Sequence, residues 1–511
     1  MGVRVASASE TVACERAAME RGGTAEALMQ RAGAGAAGLI LGSFPDVQRS
    51  GVLFFTGKGN NGGDGWVVAD SLARRGVSCQ VVSIGQPASP EANVARESAL
   101  GSGAIQSAIG SDDTLIVVDA LLGTGSTGSP RGKVASSVDE INLRRSRGAT
   151  VISLDLPSGL DATTGAYEKS VNADLTISFG TMKRGHLVAR EICGTITVND
   201  IGLHEADMAG LPQLIDREWV NARVPRIPVA AHKGTRKTLS VVGGGRGMAG
   251  AAILSGEGAL RSGIGLLRIV TALGNETAVH ASLPAAIVAS WPETADEISA
   301  ILDTSDALAI GPGLGNSQNS RELVERLLLA WSGPVVIDAD AINAFAGDIL
   351  SLSQLLSGRP SVITPHPVEL ARLIGCQTSD VVSGRFDIGL DLAAELGACV
   401  LLKGAPTVIF APSGDRYVCA SGTAALATGG SGDVLTGIIG TLLAQMCTKD
   451  SACSPADAAA CAAFAHGRAA ELCGVVRGTT LADILHAMPV AWNESVDTRP
   501  HGVIAQLASF A

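Results

Sequence analysis

Residues 427–437 read Ala-Thr-Gly-Gly-Ser-Gly-Asp-Val-Leu-Thr-Gly and run into an uncharged, helix-length stretch ending near Met446. Glycine-rich backbone is thereby delivered to a helix N-terminus with one carboxylate, Asp433, at the junction. The open N–H groups and positive dipole end of such a terminus hold a phosphate, and glycine lets the backbone approach it with no Cβ in the way. Asp433 is badly placed to bind phosphate but well placed to take a proton from a hydroxyl attacking one.

A second set of residues with chemical potential lies in the first half of the chain. Asn60-Asn61-Gly62-Gly63-Asp64 offers amide and carboxylate oxygens for a hard cation and N–H groups for phosphate. Asp119 with Gly123-Thr124-Gly125, and Asp155 with Pro157-Ser158-Gly159, each follow an apolar strand run. In a parallel sheet, ligands bind outside the carboxyl ends of strands, so these loops could converge on one crevice. Taken singly, Asp or Gly after a strand is as readily a turn or cap residue. Gly57, Gly59 and Gly62 satisfy a dinucleotide-binding spacing, but the next strand ends Val82-Ser83-Ile84-Gly85 with no ribose-binding carboxylate. An NAD-linked dehydrogenase is therefore disfavoured.

In the second half Gly311-Pro312-Gly313-Leu314-Gly315, Thr364-Pro365-His366-Pro367-Val368-Glu369-Leu370 and Lys403-Gly404 again follow strand runs. His366, fixed between prolines, reads as a cleft residue, whereas His466 in an alanine-rich helix reads as core. No P-loop motif is present.

The elements that must position these residues alternate strand and helix. Strands are expected at Val52–Thr56, Ser78–Ile84, Thr114–Asp119, Thr150–Asp155, Leu175–Phe179 and Thr195–Val198, with a helix from about Gly65 to Arg75 and a helical region from Glu10 to Leu41 before them. A second series is expected at Leu239–Val242, Leu266–Val270, Ala307–Ile310, Val335–Ile337, Ser361–Thr364, Cys399–Leu402 and Thr407–Phe410, with helices after Asp433, at Pro455–Cys473 and at Leu481–Met488. This divides the 511 residues into a domain at 1–216, a linker at 217–234 and a domain at 235–511. The low aromatic content, 3%, fits helices layered on parallel strands, an α/β class. A net charge of −11 speaks against nucleic-acid or anionic-membrane partners. Ten scattered cysteines without C-x-x-C spacing, no bilayer-length apolar run and no apolar leader point to a reduced, cytoplasmic setting. At 46% hydrophobic, the chain is also expected to form a homo-oligomer.

The motifs at 60–64, 119–125 and 155–159, in that order, resemble the YjeF N-terminal family of NAD(P)H-hydrate epimerases, and the second half resembles the ADP- or ATP-dependent NAD(P)H-hydrate dehydratases. Together they resemble the bifunctional nicotinamide nucleotide repair enzymes over nearly the whole chain. The resemblance implies a Rossmann-like three-layer α/β/α domain followed by a ribokinase-like α/β domain. It implies K+ held by Asn61, Asp119 and Ser158, and hydrate contacts from Asn60, Asn61, Gly62, Gly63, Asp64, Gly123, Thr124, Gly125, Ser126, Thr127, Gly128, Ser129 and Asp155. Asp155 is then the proton-transfer residue, and Lys183 falls in a family-like stretch. For the second site it implies hydrate contacts from Ala251, Gly313, Gly315, His366 and Asp433. Lys403, Gly404, Ala405, Pro406, Thr407, Thr428, Gly429, Gly430, Ser431 and Gly432 would hold ADP or ATP, with Mg2+. Two departures are the run His232-Lys233-Gly234-Thr235-Arg236-Lys237 into the first strand, which lacks the family's second glycine, and Thr423, where Asn is common. Two rivals remain: a ribokinase-type small-molecule kinase, which would have no use for an epimerase-like domain, and a non-enzymatic scaffold.

Overall fold

The computed structural model describes residues 2–107, 115–448, 453–496 and 499–509. Thr114, the expected start of the third strand, lies outside them. The chain forms two compact units, one of residues 1–214 with 497–511 and the other of residues 215–496.

In the first unit the sheet runs, in spatial order, Val503–Leu507, Thr195–Asn199, Leu175–Phe179, Thr150–Leu154, Ile116–Ala120, Val52–Thr56, Cys79–Ser83 and Ile105–Ser107. All pairings are parallel except that of Val503–Leu507 with Thr195–Asn199. Val52–Thr56 and Ile116–Ala120 are buried at every position, as strands covered on both faces must be. The chain winds outward from Val52–Thr56 in one direction, then returns beside it at Ile116–Ala120 and winds the other way. That reversal opens a crevice at the strand ends.

The second unit repeats the plan with Arg416–Cys419, Thr407–Phe410, Cys399–Leu402, Ser361–Ile363, Val335–Ile337, Ala307–Ile310, Thr238–Val242, Leu266–Thr271 and Ile287–Ser290. Only Thr407–Phe410 runs antiparallel to its neighbours. The reversal falls between Thr238–Val242 and Ala307–Ile310, where Gly244 N–H donates to Pro312 O at 2.8 Å and Gly245 N–H to Gly313 O at 2.6 Å. Helix Ser431–Met446 is buried along most of its length, against this sheet and helix Ala249–Arg261. No helix among the described residues is long and apolar enough to cross a membrane.

Three differences from the sequence reading matter. Residues 60–64 are not a loop, because the helix starts at Asn60 and runs to Ala73, with Gly59 as its N-cap. Residues 217–234 are not a featureless linker, since helix Arg217–Asn221 buries Trp219 and Val220 in the second unit's core. Residues beyond 496 do not belong with the second unit, because Val503–Leu507 adds a strand to the first sheet. Its short, alternating apolar pattern gave no cue to which sheet it would join.

Candidate active sites

At the first crevice the strand ends, not the glycines alone, assemble the site. Asp119 is fully buried, and its Oδ1 accepts from Ser158 Oγ at 2.6 Å and its Oδ2 from Ser158 N–H at 2.8 Å and Ser153 Oγ at 2.9 Å. Asn61 Nδ2 donates to Leu122 O at 2.7 Å and Leu154 O at 3.1 Å, tying the helix start to both neighbouring strand ends. Gly123 packs against Asn61, with room for a Cβ only 3.1 Å from the Asn61 Cβ. Asn61, Asp119, Ser158 and Gly123 therefore meet, as expected from their separate motifs.

Two observations test this cluster for a cation. Asn61 Oδ1 is buried without a hydrogen-bond partner, which natural interiors rarely tolerate. Burial pushes the Asp119 carboxyl above its ordinary range, opposed only by neutral donors from Ser158, Leu121 and Ser153. An orphaned oxygen beside a buried carboxylate and a hydroxyl is an all-oxygen set that fits a hard monovalent or divalent ion.

Gly62 is required by contact rather than by flexibility, since a Cβ there would lie 2.1 Å from Gly57 O. With Gly59 as an N-cap lacking a side-chain bond, the first-turn amides from Asn60 onward are open to an anion. Exposed Thr127 and Gly128, with Ser126 and Ser129, line a cavity of about 420 Å³ that also takes Arg131, a cation the sequence reading did not single out. Thr124 and Gly125 continue the same loop.

Asp155 has φ +63°, a left-handed conformation strained for a residue with a side chain. Its Oδ1 pairs with the fully buried Lys183, whose Nζ also donates to Ser178 Oγ and Phe179 O, each at 3.0 Å. Burial, then the charges of Asp155 and Glu15, raises Asp64 well above the ordinary range. Burial and Asp155 likewise raise Glu15. Three carboxyls thus share one ammonium. Glu15, on helix Ala8–Glu20, was not anticipated, and it carries no motif that could have announced it.

At the second crevice Gly430 has φ +91° and is the N-cap of Ser431–Met446, with Asp433 in the first turn. Burial foremost, then the charge of Asp338, pushes Asp433 up to about 7. Helix Ala249–Arg261 bridges two parts of the site. A Cβ on Gly313 would fall 2.9 Å from the Ala251 Cβ, while one turn later Ser255 Oγ donates to Asp433 O at 2.8 Å. Gly315 N–H donates to Asp340 Oδ2 at 2.7 Å.

His366 is the N-cap of helix Pro367–Ile374, where its Nδ1 accepts from Val368 and Glu369 N–H. Nε2 is then the protonated nitrogen, 3.3 Å from Glu369 Oε1, and burial lowers the ring's proton affinity. The Lys403 Nζ lies 2.8 Å from Asp338 Oδ1 and 3.8 Å from Glu369 Oε2. Lys403 therefore sits at the centre of the site, not on its rim. The 404–407 loop is braced by Arg385, which donates to Pro406 O at 2.9 Å. Thr428 and Gly429 are exposed beside the helix start. Asp338, Asp340 and Arg385 escaped the sequence reading, since each stands in an ordinary strand-end, helix-start or turn context, while Glu369 was noted only as part of the run that follows a strand. His466 is buried in helix Pro455–Leu472, as expected of a core histidine.

Comparison with known proteins joins the two sites. Residues 25–185 match the family described as YjeF-related protein N-terminus, and residues 239–488 match that described as NAD(P)H-hydrate dehydratase. The bifunctional NAD(P)H-hydrate repair enzyme of Escherichia coli (strain K12) is 35% identical over 497 residues, 93% of this chain and 91% of that protein. The chain belongs to the bifunctional NAD(P)H-hydrate repair enzyme family. A relative of that name from Moorella thermoacetica is also 35% identical, over 84% of each chain. An ADP/ATP-dependent NAD(P)H-hydrate dehydratase from Bacillus subtilis, crystallised with ATP/Mg2+, is 32% identical over 54% of this chain and 96% of its own, with a TM-score of 0.47. Both family matches fall within the two units described above, and each crevice lies in one of them.

Proposed function

We propose that this protein restores hydrated nicotinamide nucleotides in two steps, epimerising the R and S hydrates in the first unit and dehydrating the S form at the expense of ADP or ATP in the second. The observation that carries the reading is Asp433, a carboxyl raised to about 7 at a glycine-led helix N-terminus with the Lys403 ammonium beside it. A ring hydroxyl is a poor leaving group at neutral pH. Asp433 takes its proton as the oxygen attacks the terminal phosphoryl, while the amides of Gly430, Ser431 and Gly432 and the Lys403 charge hold the phosphate oxygens. The C–O bond then breaks with loss of phosphate and a ring proton, and the ring double bond returns. ADP leaves as AMP, or ATP as ADP. Mg2+ entering with the nucleotide would supply charge that neutralises its phosphates.

In the first unit Asp155, paired with Lys183, is the proton-transfer group, the open amides of Asn60, Asn61 and Gly62 with Gly63, Asp64 and the 123–129 loop take the hydrate phosphates, and Asn61, Asp119 and Ser158 would hold K+. The orphaned Asn61 oxygen and the buried Asp119, met only by neutral donors, support that cation; bound there, its charge would oppose the burial that raises the Asp119 carboxyl. Ala251, Gly313, Gly315 and His366 contact the hydrate in the second unit, and residues 404–407, Thr428 and Gly429 contact the nucleotide. Free cysteines throughout support a reducing, cytoplasmic setting, and we propose self-association.

The test supplies purified protein with a mixed R and S hydrate and follows recovery of reduced-nicotinamide absorbance with ADP, with ATP and with neither. Full recovery with a nucleotide is expected, and recovery stopping at the S fraction in Asp155→Ala. Release of a phosphorylated hydrate without free phosphate would show a kinase instead.

A further inference from the structure

We infer that Asp338 is the positioning residue of the second site, clamping the Lys403 ammonium beneath Gly432 and anchoring, through Thr436, the helical turn that carries Asp433. The inference rests on Asp433 being the base proposed above. Asp338 follows strand Val335–Ile337 and is 1% exposed, so its charge can be met only by neighbouring protein groups. Three elements supply them. Lys403, after Cys399–Leu402, donates to Oδ1 at 2.8 Å; Thr364, after Ser361–Ile363, donates to Oδ1 at 2.7 Å; Thr436, on Ser431–Met446, donates to Oδ2 at 2.6 Å.

Thr436 stands three residues beyond Asp433 on the same helix, hence on the same face. A Cβ built on Gly432 would lie 3.2 Å from Lys403 Nζ and 3.9 Å from Asp338 Oδ2. The ammonium is therefore packed directly against the first turn that forms the anion cradle. The next residue, Ala339, has φ +49°. Such strain in a non-glycine residue persists where the surroundings over-determine it, and here it separates Asp338 from Asp340, which holds the Gly315 loop.

The charged groups acting on Asp433 are Asp338 and Asp340 from this turn, Glu369 from the start of helix Pro367–Ile374, and Lys403; His366 stands beside Glu369, with its proton affinity lowered by burial. Lys403 left to itself would pair with Asp433. Such a pair would weaken the base and withdraw the ammonium from the phosphoryl group. By taking Lys403, Asp338 keeps the ammonium under the phosphate and Asp433 proton-seeking. The sign of each charge effect follows: removing Asp338 deletes a like charge and frees a cation, both of which favour ionised Asp433. Removing Lys403 deletes the attractive charge and leaves Asp338 facing Asp433 unopposed.

The test is the pH dependence of dehydratase kcat/KM in the wild type, Asp338→Asn, Lys403→Met and Thr364→Val. In Asp338→Asn the acidic limb is expected to move down by about one pH unit or more, with a lower plateau because the base is weaker. In Lys403→Met it is expected to move up. Thr364→Val, which keeps both charges, should leave it in place. A wild-type limb that Asp338→Asn does not displace overturns the clamp. If Asp338→Asn fails to accumulate as folded protein, Lys403→Met decides, and an undisplaced limb there overturns it equally. Absence of any Asp433-dependent limb in the wild type overturns the base assignment and the clamp with it.

Discussion

A carboxylate serving as base beside a phosphate must want a proton and yet be charged often enough to take one. Asp433 meets both demands because burial, with Asp338, Asp340 and Glu369 as negative neighbours, raises it to about 7 while Lys403 restrains the rise. Raised affinity means that the ionised, working form is lost as pH falls through about 7. Dehydratase rate should therefore drop by about tenfold per unit well below that point, measured as initial absorbance recovery in a buffer series. Asp433→Asn keeps the shape and removes the proton acceptor, so turnover should fall by about 10² to 10⁴ with the nucleotide still bound in a calorimetric titration. Unchanged turnover would defeat the assignment. The place of Asp433 in the first turn of a glycine-led helix was legible in the sequence, because the glycine run and the uncharged stretch after it mark that helix start. Asp338 was not. Its neighbours Thr364, Lys403 and Thr436 lie 26, 65 and 98 residues further along the chain, and nothing in their local spacing shows that two strand ends and a helix bring them together.

At the scale of elements, the helix Ser431–Met446 is held against Ala249–Arg261 by the smallness of its contact residues. A Cβ on Gly437 would fall 1.7 Å from Ser255 O, and one on Gly258 would fall 2.3 Å from Val434 O. Two backbones that close cannot separate locally without shifting Asp433, which Ser255 tethers. Gly437→Ala should therefore cost about 1 to 3 kcal/mol through overpacking, seen as a lowered calorimetric midpoint for the second unit, and depress dehydratase turnover. A midpoint and turnover equal to the wild type would show that the helices have slack. Most strands could be placed from their apolar runs, and Val52–Thr56, Leu175–Phe179, Ala307–Ile310, Val335–Ile337, Cys399–Leu402 and Thr407–Phe410 fall where expected. The helix at Asn60 could not, because a glycine-rich first turn reads as a loop until the contact with Gly57 shows why side chains are excluded. Helix Leu481–Asn493 likewise continues through Pro489, past the expected end at Met488.

At the scale of the whole molecule, each unit winds its sheet both ways from one reversal, with Asp119 and Asp155 at strand ends in the first unit and Asp433 at a helix start in the second. This plan could be foreseen from the alternation of strands and helices. What could not is the return of the chain to its first sheet, since a five-residue strand pairs through backbone groups that carry no address. Val503 and Ala505 are buried and pair with the Thr195–Asn199 strand. Deleting residues 497–511 should expose that strand's hydrogen-bonding edge and cause aggregation, read by light scattering, together with a loss of epimerisation. A monodisperse truncation with full epimerisation would refute the dependence. Translation gives the arrangement a temporal meaning. The ribosome releases 503–507 only after every residue of the dehydratase unit, so a chain interrupted within that unit lacks the last strand of the first sheet. Completion of that sheet thus reports that the whole second unit has already been made.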